Sequence, residues 1–108
     1  MTECDGGGNE GEVIYDFRDV TASGAIINVF ACHADPEEYP GGVHYHLHYG
    51  YPDEEEPIIR YDNENIEETH ERHEGDEIEE IDFPGADALR ERFEREVREH
   101  ERTQQYPD

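Results

Sequence analysis

The side chains best suited to chemistry lie close together in the middle of the sequence. An arginine, an aspartate and an asparagine end an otherwise apolar segment, and two histidines follow: Arg60, Asp62, Asn63, His70 and His73. A guanidinium can bind an oxyanion or a phosphate, and an imidazole can donate or accept a proton near neutral pH. We therefore treat these five residues as a candidate catalytic site.

The same residues also allow a purely structural interpretation. Arg60 and Asp62 are two positions apart, so on a strand they share a face and can form a charge-assisted pair, while Asp-Asn favours a turn. His70 and His73 come together only if their segment is helical or sharply turned. Their spacing is not that of the His-Glu-x-x-His zinc proteases. The sequence leaves both interpretations open.

Three further histidines alternate with hydrophobic residues in VHYHLHYGY. On a strand, His44, His46 and His48 share one face, and the first and third lie about 13 Å apart, so one ion cannot bind all three. A zinc site would need two of them and another ligand, such as His70 or His73. Otherwise the rings form a polar face towards solvent or another subunit. We assign no metal and no cofactor.

The net charge of the chain indicates the salt concentration in which the protein works. Its 108 residues include 31 Asp and Glu against eight basic residues, all arginine, for a formal net charge of −23. In molar salt the Debye length falls to about 3 Å, which screens the repulsion between surface carboxylates. We therefore expect an acidic, halophilic protein. The same reasoning means that net charge does not exclude an RNA partner.

Hydrophobic periodicity predicts several strands followed by one helix. EVIYDFRDV, VHYHLHYGY and IIRYDN have strand patterns, AIINVFACHA resembles a central strand, and a short strand starts near Glu79. Apolar residues then recur at helical spacing over 86–102: Ala86, Leu89, Phe93 and Val97. This order predicts an α+β fold, with an antiparallel sheet of about four to five strands and one C-terminal helix packed on one face.

The same patterns set the expected boundaries of the domain. Residues 1–11 are acidic and rich in glycine, which predicts a disordered tail, and residues 104–108 predict a frayed tail. A single domain should therefore occupy residues 12–103. No apolar run approaches the length of a membrane span, and the first residues lack the pattern of a signal peptide. We expect a cytoplasmic protein, and sheets this small favour a homodimer.

The middle and C-terminal segments together resemble a known family. VHYHLHYG, PIIRYDN, a His-x-x-His pair and IEEIDFPGADALRERFEREV are similar to the TumE-type toxins of two-gene toxin–antitoxin modules, and to the haloarchaeal form especially. The resemblance covers residues 25–98. It maps the family pattern onto seven positions: Tyr45, Arg60, Tyr61, Asp62, Asn63, His70 and His73.

The resemblance implies a partner and a biological effect. The partner would be a small antitoxin of the winged-helix type, and the effect would be inhibition of growth. If the toxin acts on RNA, the guanidinium and the imidazoles of the candidate site have suitable character. Two alternatives remain from the residues alone: a non-catalytic, oligomerising interaction domain, and a metal-binding protein that uses histidines.

Overall fold

Six strands precede a single helix in the computed structural model, which describes residues 12–35, 37, 39, 41–63 and 69–105. The strands and the helix are β1 Val13–Val20, β2 Ile26–His33, β3 Val43–Gly50, β4 Ile59–Asp62, β5 Glu71–Glu74, β6 Glu77–Glu80 and α1 Ala86–Gln105. The helix starts where 86–102 was predicted and is longer at its end. The predicted tail 1–11 and residues 106–108 lie outside the described residues.

All six strands form one antiparallel sheet in sequence order, with each strand paired to the next. The predicted sheet with one helix is confirmed, but the predicted count of four to five strands is wrong. The additional strand is β5, because the short strand predicted near Glu79 corresponds to β6, and the two form a hairpin that turns at Gly75 with φ 62°. The sequence of β5, ERHE, contains no apolar residue, so hydrophobic alternation could not reveal it.

The sheet has two different faces because strand side chains alternate. One face carries the buried hydrophobic residues of β2, β3 and β4, and α1 packs against it over β3 and β4. From the helix, Leu89, Phe93 and Val97 enter this core, and the Phe93 ring is fully buried with its edge against Tyr61. The apolar stripe predicted on the helix therefore packs against the apolar face of the sheet.

The ends of α1 suit the helix dipole. Asp87 lies in the first turn and Arg102 in the last, where a negative and a positive charge are respectively favourable. Gly85, with φ 106°, ends the preceding coil, and its carbonyl accepts a hydrogen bond from the Leu89 amide. Within the described residues, no helix combines the length and the apolar character needed to cross a membrane.

Candidate functional site

The candidate catalytic residues do not all lie on the same face of the sheet. His48 pairs with Arg60 across β3 and β4, and Arg60 pairs with His73 across β4 and β5. Directly paired residues of an antiparallel sheet project to the same side. Because the helix covers the face of Tyr49 and Tyr61, these three side chains lie on the opposite face, against which no described helix or strand packs.

Arg60, Asp62 and His73 meet at one carboxylate oxygen. Arg60 Nε donates a hydrogen bond of 2.7 Å to Asp62 Oδ2, and His73 Nε2 lies 3.3 Å from the same oxygen. The Asp62 side chain is only 7% exposed, whereas the Arg60 side chain is 31% exposed. The aspartate therefore lies beneath the guanidinium and fixes its orientation, while the guanidinium still reaches solvent.

Glu71 completes the surroundings of His73. Its Oε1 lies 3.3 Å from His73 Nε2. Although two carboxylate oxygens are this close, neither contact has hydrogen-bond geometry, and the buried Nε2 has no hydrogen-bond partner. We call the cluster of Arg60, Asp62, Glu71 and His73, with the neighbouring His48, the open-face site.

His48 differs from His73 in its electrostatic surroundings. Burial, and then the positive charge of Arg60, lower the pKa of the His48 imidazole below its ordinary value. Its Nδ1 is buried without a hydrogen-bond partner. His48 is therefore neutral at neutral pH and can donate or accept a hydrogen bond without adding charge.

Part of the open-face site also has the chemistry of a metal site. One ligand atom each from Asp62, Glu71 and His73 lie within 4.8 Å of one another, the only such group among the described residues. Carboxylate and imidazole groups are common ligands of divalent ions. However, the Arg60 guanidinium already contacts Asp62 Oδ2, so an ion would compete with a fixed positive charge.

Asn63 lies next to this cluster but contacts the backbone of β3. Its side chain is fully buried, Nδ2 donates to the Val43 carbonyl at 2.6 Å, and Oδ1 accepts from the Tyr45 amide at 3.0 Å. These two bonds extend the pairing of β3 and β4 past the last residue of β4. Both polar atoms of the Asn63 side chain therefore bond to the backbone of β3.

His70 lies on the helix-covered face, away from the open-face site. Its Nδ1 is 2.9 Å from the Tyr45 hydroxyl, and its ring stacks on Phe83 with centroids 4.6 Å apart. Burial, and then the charge of Asp62, raise the pKa of the Tyr45 hydroxyl, which stays protonated and can donate to the imidazole. Because this segment enters a strand, residues three apart point to opposite sides, which separates His70 from His73.

Neither His48 nor Glu71 is among the site residues predicted from the sequence. The signal for His48 was present, because a hairpin of β3 and β4 with the correct register places it beside Arg60. The signal for Glu71 was absent, since it is one of many acidic residues in its segment. The metal set suggested for the strand histidines does not form with His70, which lies on the other face.

Comparison with known proteins gives one match. A family model described as toxin TumE matches residues 9–101, which is most of the chain. Searches of curated proteins and of solved structures gave no significant match. The match includes every residue of the open-face site.

Proposed function

The chain belongs to the TumE toxin family, and from this premise we propose that it is the toxin of a two-gene toxin–antitoxin module and acts on RNA through the open-face site. The observation that supports this proposal best is the convergence of Arg60 and His73 on Asp62. These three residues are not consecutive, and their side chains meet because β4 and β5 pair in the observed register.

Each group has a role in cleavage of a phosphodiester. The Arg60 guanidinium binds the phosphate and stabilises the negative charge that develops on its oxygens. His73 accepts the proton of the attacking hydroxyl as the new P–O bond forms. The bond to the leaving oxygen breaks, and that oxygen takes a proton from solvent. Asp62 holds the guanidinium in place through the hydrogen bond from Arg60 Nε.

The other two candidate catalytic residues would act from outside the site. In this proposal Asn63 fixes the end of β4 against β3, which holds Asp62 in place. His70 packs against Tyr45 and Phe83 and positions the start of β5, and therefore His73. Both are positioning residues, and their loss should change activity through the local structure.

The environment and the partners belong to the same proposal. Membership of a toxin family supports an antitoxin partner, and we propose a small winged-helix protein encoded by the neighbouring gene. The net charge of −23 supports a salt-rich, haloarchaeal cytoplasm as the place of action. We further propose that the protein forms a homodimer, as small sheets commonly do.

Expression in a haloarchaeal host tests this function. Wild-type protein should arrest growth, co-expression of the neighbouring gene should relieve the arrest, and Arg60→Ala and His73→Ala should each abolish it. The matched controls are Arg95→Ala and His33→Ala, which remove the same groups from exposed positions outside the site. Full arrest by both site variants, with wild-type expression and circular dichroism, would contradict the proposal.

A metal-dependent protein is the second candidate function. It is favoured by the spacing of Asp62, Glu71 and His73. Elemental analysis of protein purified in high salt without chelator decides between the two. A stoichiometric divalent ion, lost in Glu71→Gln and kept in the neighbouring Glu74→Gln, would make His73 a ligand and remove its role in proton transfer.

A further inference from the structure

A row of hydrogen-bond donors crosses the face of the sheet that carries the open-face site. The pairing of successive strands joins Arg18 to Asn28, Asn28 to His48, His48 to Arg60 and Arg60 to His73. We call these five residues the donor row. Neighbouring strands lie about 4.8 Å apart, so the row is about 19 Å long from β1 to β5.

The donor row contains no carboxylate, which is unusual for this chain. Acidic residues outnumber basic ones by 31 to eight, and α1 carries most of the arginines interleaved with glutamates. By contrast, Arg18 is exposed on β1, and the Arg60 side chain is 31% exposed. Phosphates approaching this face of the sheet therefore meet two arginine side chains, Arg18 on β1 and Arg60 on β4.

Aromatic rings lie beside the donor row. Phe30 and His46 pair across β2 and β3, and their rings stack with centroids 5.3 Å apart and an interplanar angle of 24°. Both rings are half-buried, so part of each remains accessible. Exposed rings on a sheet provide a surface on which unpaired bases can stack, with a sequence tolerance that hydrogen bonds to base edges do not have.

We propose that the donor row is the binding track for single-stranded RNA, which runs across the strands with its phosphates along the row and a base on Phe30. This inference rests on the proposed function and names its substrate class. The track leads phosphates to Arg60. Outside the reacting centre, Arg18 binds a phosphate and Phe30 stacks on a base. A duplex is excluded by this arrangement because its paired bases cannot reach Phe30.

Fluorescence anisotropy with a labelled 2′-O-methyl RNA of about 12 nucleotides, within the site sizes of single-stranded binding proteins, tests the track without cleavage. Arg18→Ala should weaken binding and reduce the magnitude of the slope of log affinity against log salt by about 0.7, the value for one lost phosphate contact. Phe30→Ala should weaken binding roughly tenfold through the lost stacking. A duplex of the same length should bind far more weakly.

Arg95→Ala is the charge-matched control, since it removes an exposed arginine of α1, the helix that covers the opposite face of the sheet. It should leave affinity and salt dependence unchanged. Equal effects of Arg18→Ala and Arg95→Ala would show that only net charge matters and would overturn the inference. The inference would also be overturned if Phe30→Ala bound RNA like wild type but no longer bound the antitoxin or a second copy of the chain. That result would assign this face to a protein partner.

The inference and the proposed function can fail separately. If Arg60→Ala and His73→Ala abolish growth arrest while Arg18→Ala and Phe30→Ala bind RNA like wild type, the site stands and the track is wrong. If the track variants lose RNA binding as expected but Arg60→Ala and His73→Ala still arrest growth, the track stands and the proposed chemistry is wrong.

Discussion

Replacement of Asn63 should mainly reduce stability, although the sequence places this residue among the candidate catalytic groups. Its side chain is fully buried and satisfies two backbone groups of β3, the Val43 carbonyl and the Tyr45 amide. Asn63→Ala removes both partners at once. A buried polar group without a hydrogen bond costs about 1–3 kcal/mol, so the two together predict a loss of about 2–6 kcal/mol.

That loss is a large part of the stability of a small domain, which is typically about 5–15 kcal/mol. With a urea dependence of about 1–3 kcal/mol per molar, a loss near 3 kcal/mol lowers the unfolding midpoint by about 1–3 M. The assay is urea unfolding at constant high salt, followed by far-ultraviolet circular dichroism. Asn63→Asp should also destabilise the fold, because a carboxylate can accept from Tyr45 but cannot donate to Val43.

Asn28→Ala is the matched control for this measurement. Asn28 is only half-buried, on the face of β2 away from the helix, so its loss should shift the midpoint little. If Asn63→Ala unfolds at the wild-type urea concentration but no longer arrests growth, Asn63 takes part in the chemistry directly. The structural assignment would then be wrong.

Three further outcomes follow from the structure. Burial and the charge of Arg60 lower the pKa of His48, so the folded state binds fewer protons than the unfolded state. The contribution of His48 to the free energy of unfolding should therefore be fully present above pH 6.5, the ordinary pKa of histidine, and should be lost as the pH falls below it. Urea midpoints between about pH 7.5 and 5.5 should show this fall, and His48→Gln should reduce it. Phe93→Ala should lower the free energy of unfolding by about 3–5 kcal/mol in the same assay, because it empties a fully buried site. Arg72→Ala should lower the free energy of unfolding by about 1–3 kcal/mol, because Arg72 Nη2 donates a hydrogen bond of 2.6 Å to Glu96 Oε2 and joins β5 to the helix. An unchanged urea midpoint for Phe93→Ala or Arg72→Ala would contradict the importance of the contact that the variant removes.

The sequence predicted those parts of the fold in which hydrophobic periodicity matches burial. Tyr45, Leu47 and Tyr49 alternate with histidines in β3, and all three are buried in the core on one face of the strand, as the alternation predicts. Leu89, Phe93 and Val97 predicted the helix stripe in the same way. Strand β5 was not predicted because its sequence, ERHE, has no apolar residue, and it pairs with β4 and β6 through the backbone.

Only the pairing of Arg60 with Asp62 could be predicted from the local sequence. Arg60 and Asp62 are close in sequence, so their pairing on one strand face could be expected from alternation alone. Whether His70 or His73 joins them depends on the conformation of the intervening segment and on the pairing of β4 with β5. No local pattern contains that information, so only the structure separates the two histidines.

The most direct test of the central claim is the rate of single-stranded RNA cleavage by purified protein, compared between His73→Ala and His70→Ala at equal folded concentration. The open-face site predicts that His73→Ala loses cleavage completely and that His70→Ala retains a reduced rate. Loss of cleavage in His70→Ala together with wild-type cleavage in His73→Ala would move the chemistry to the helix-covered face and contradict the account.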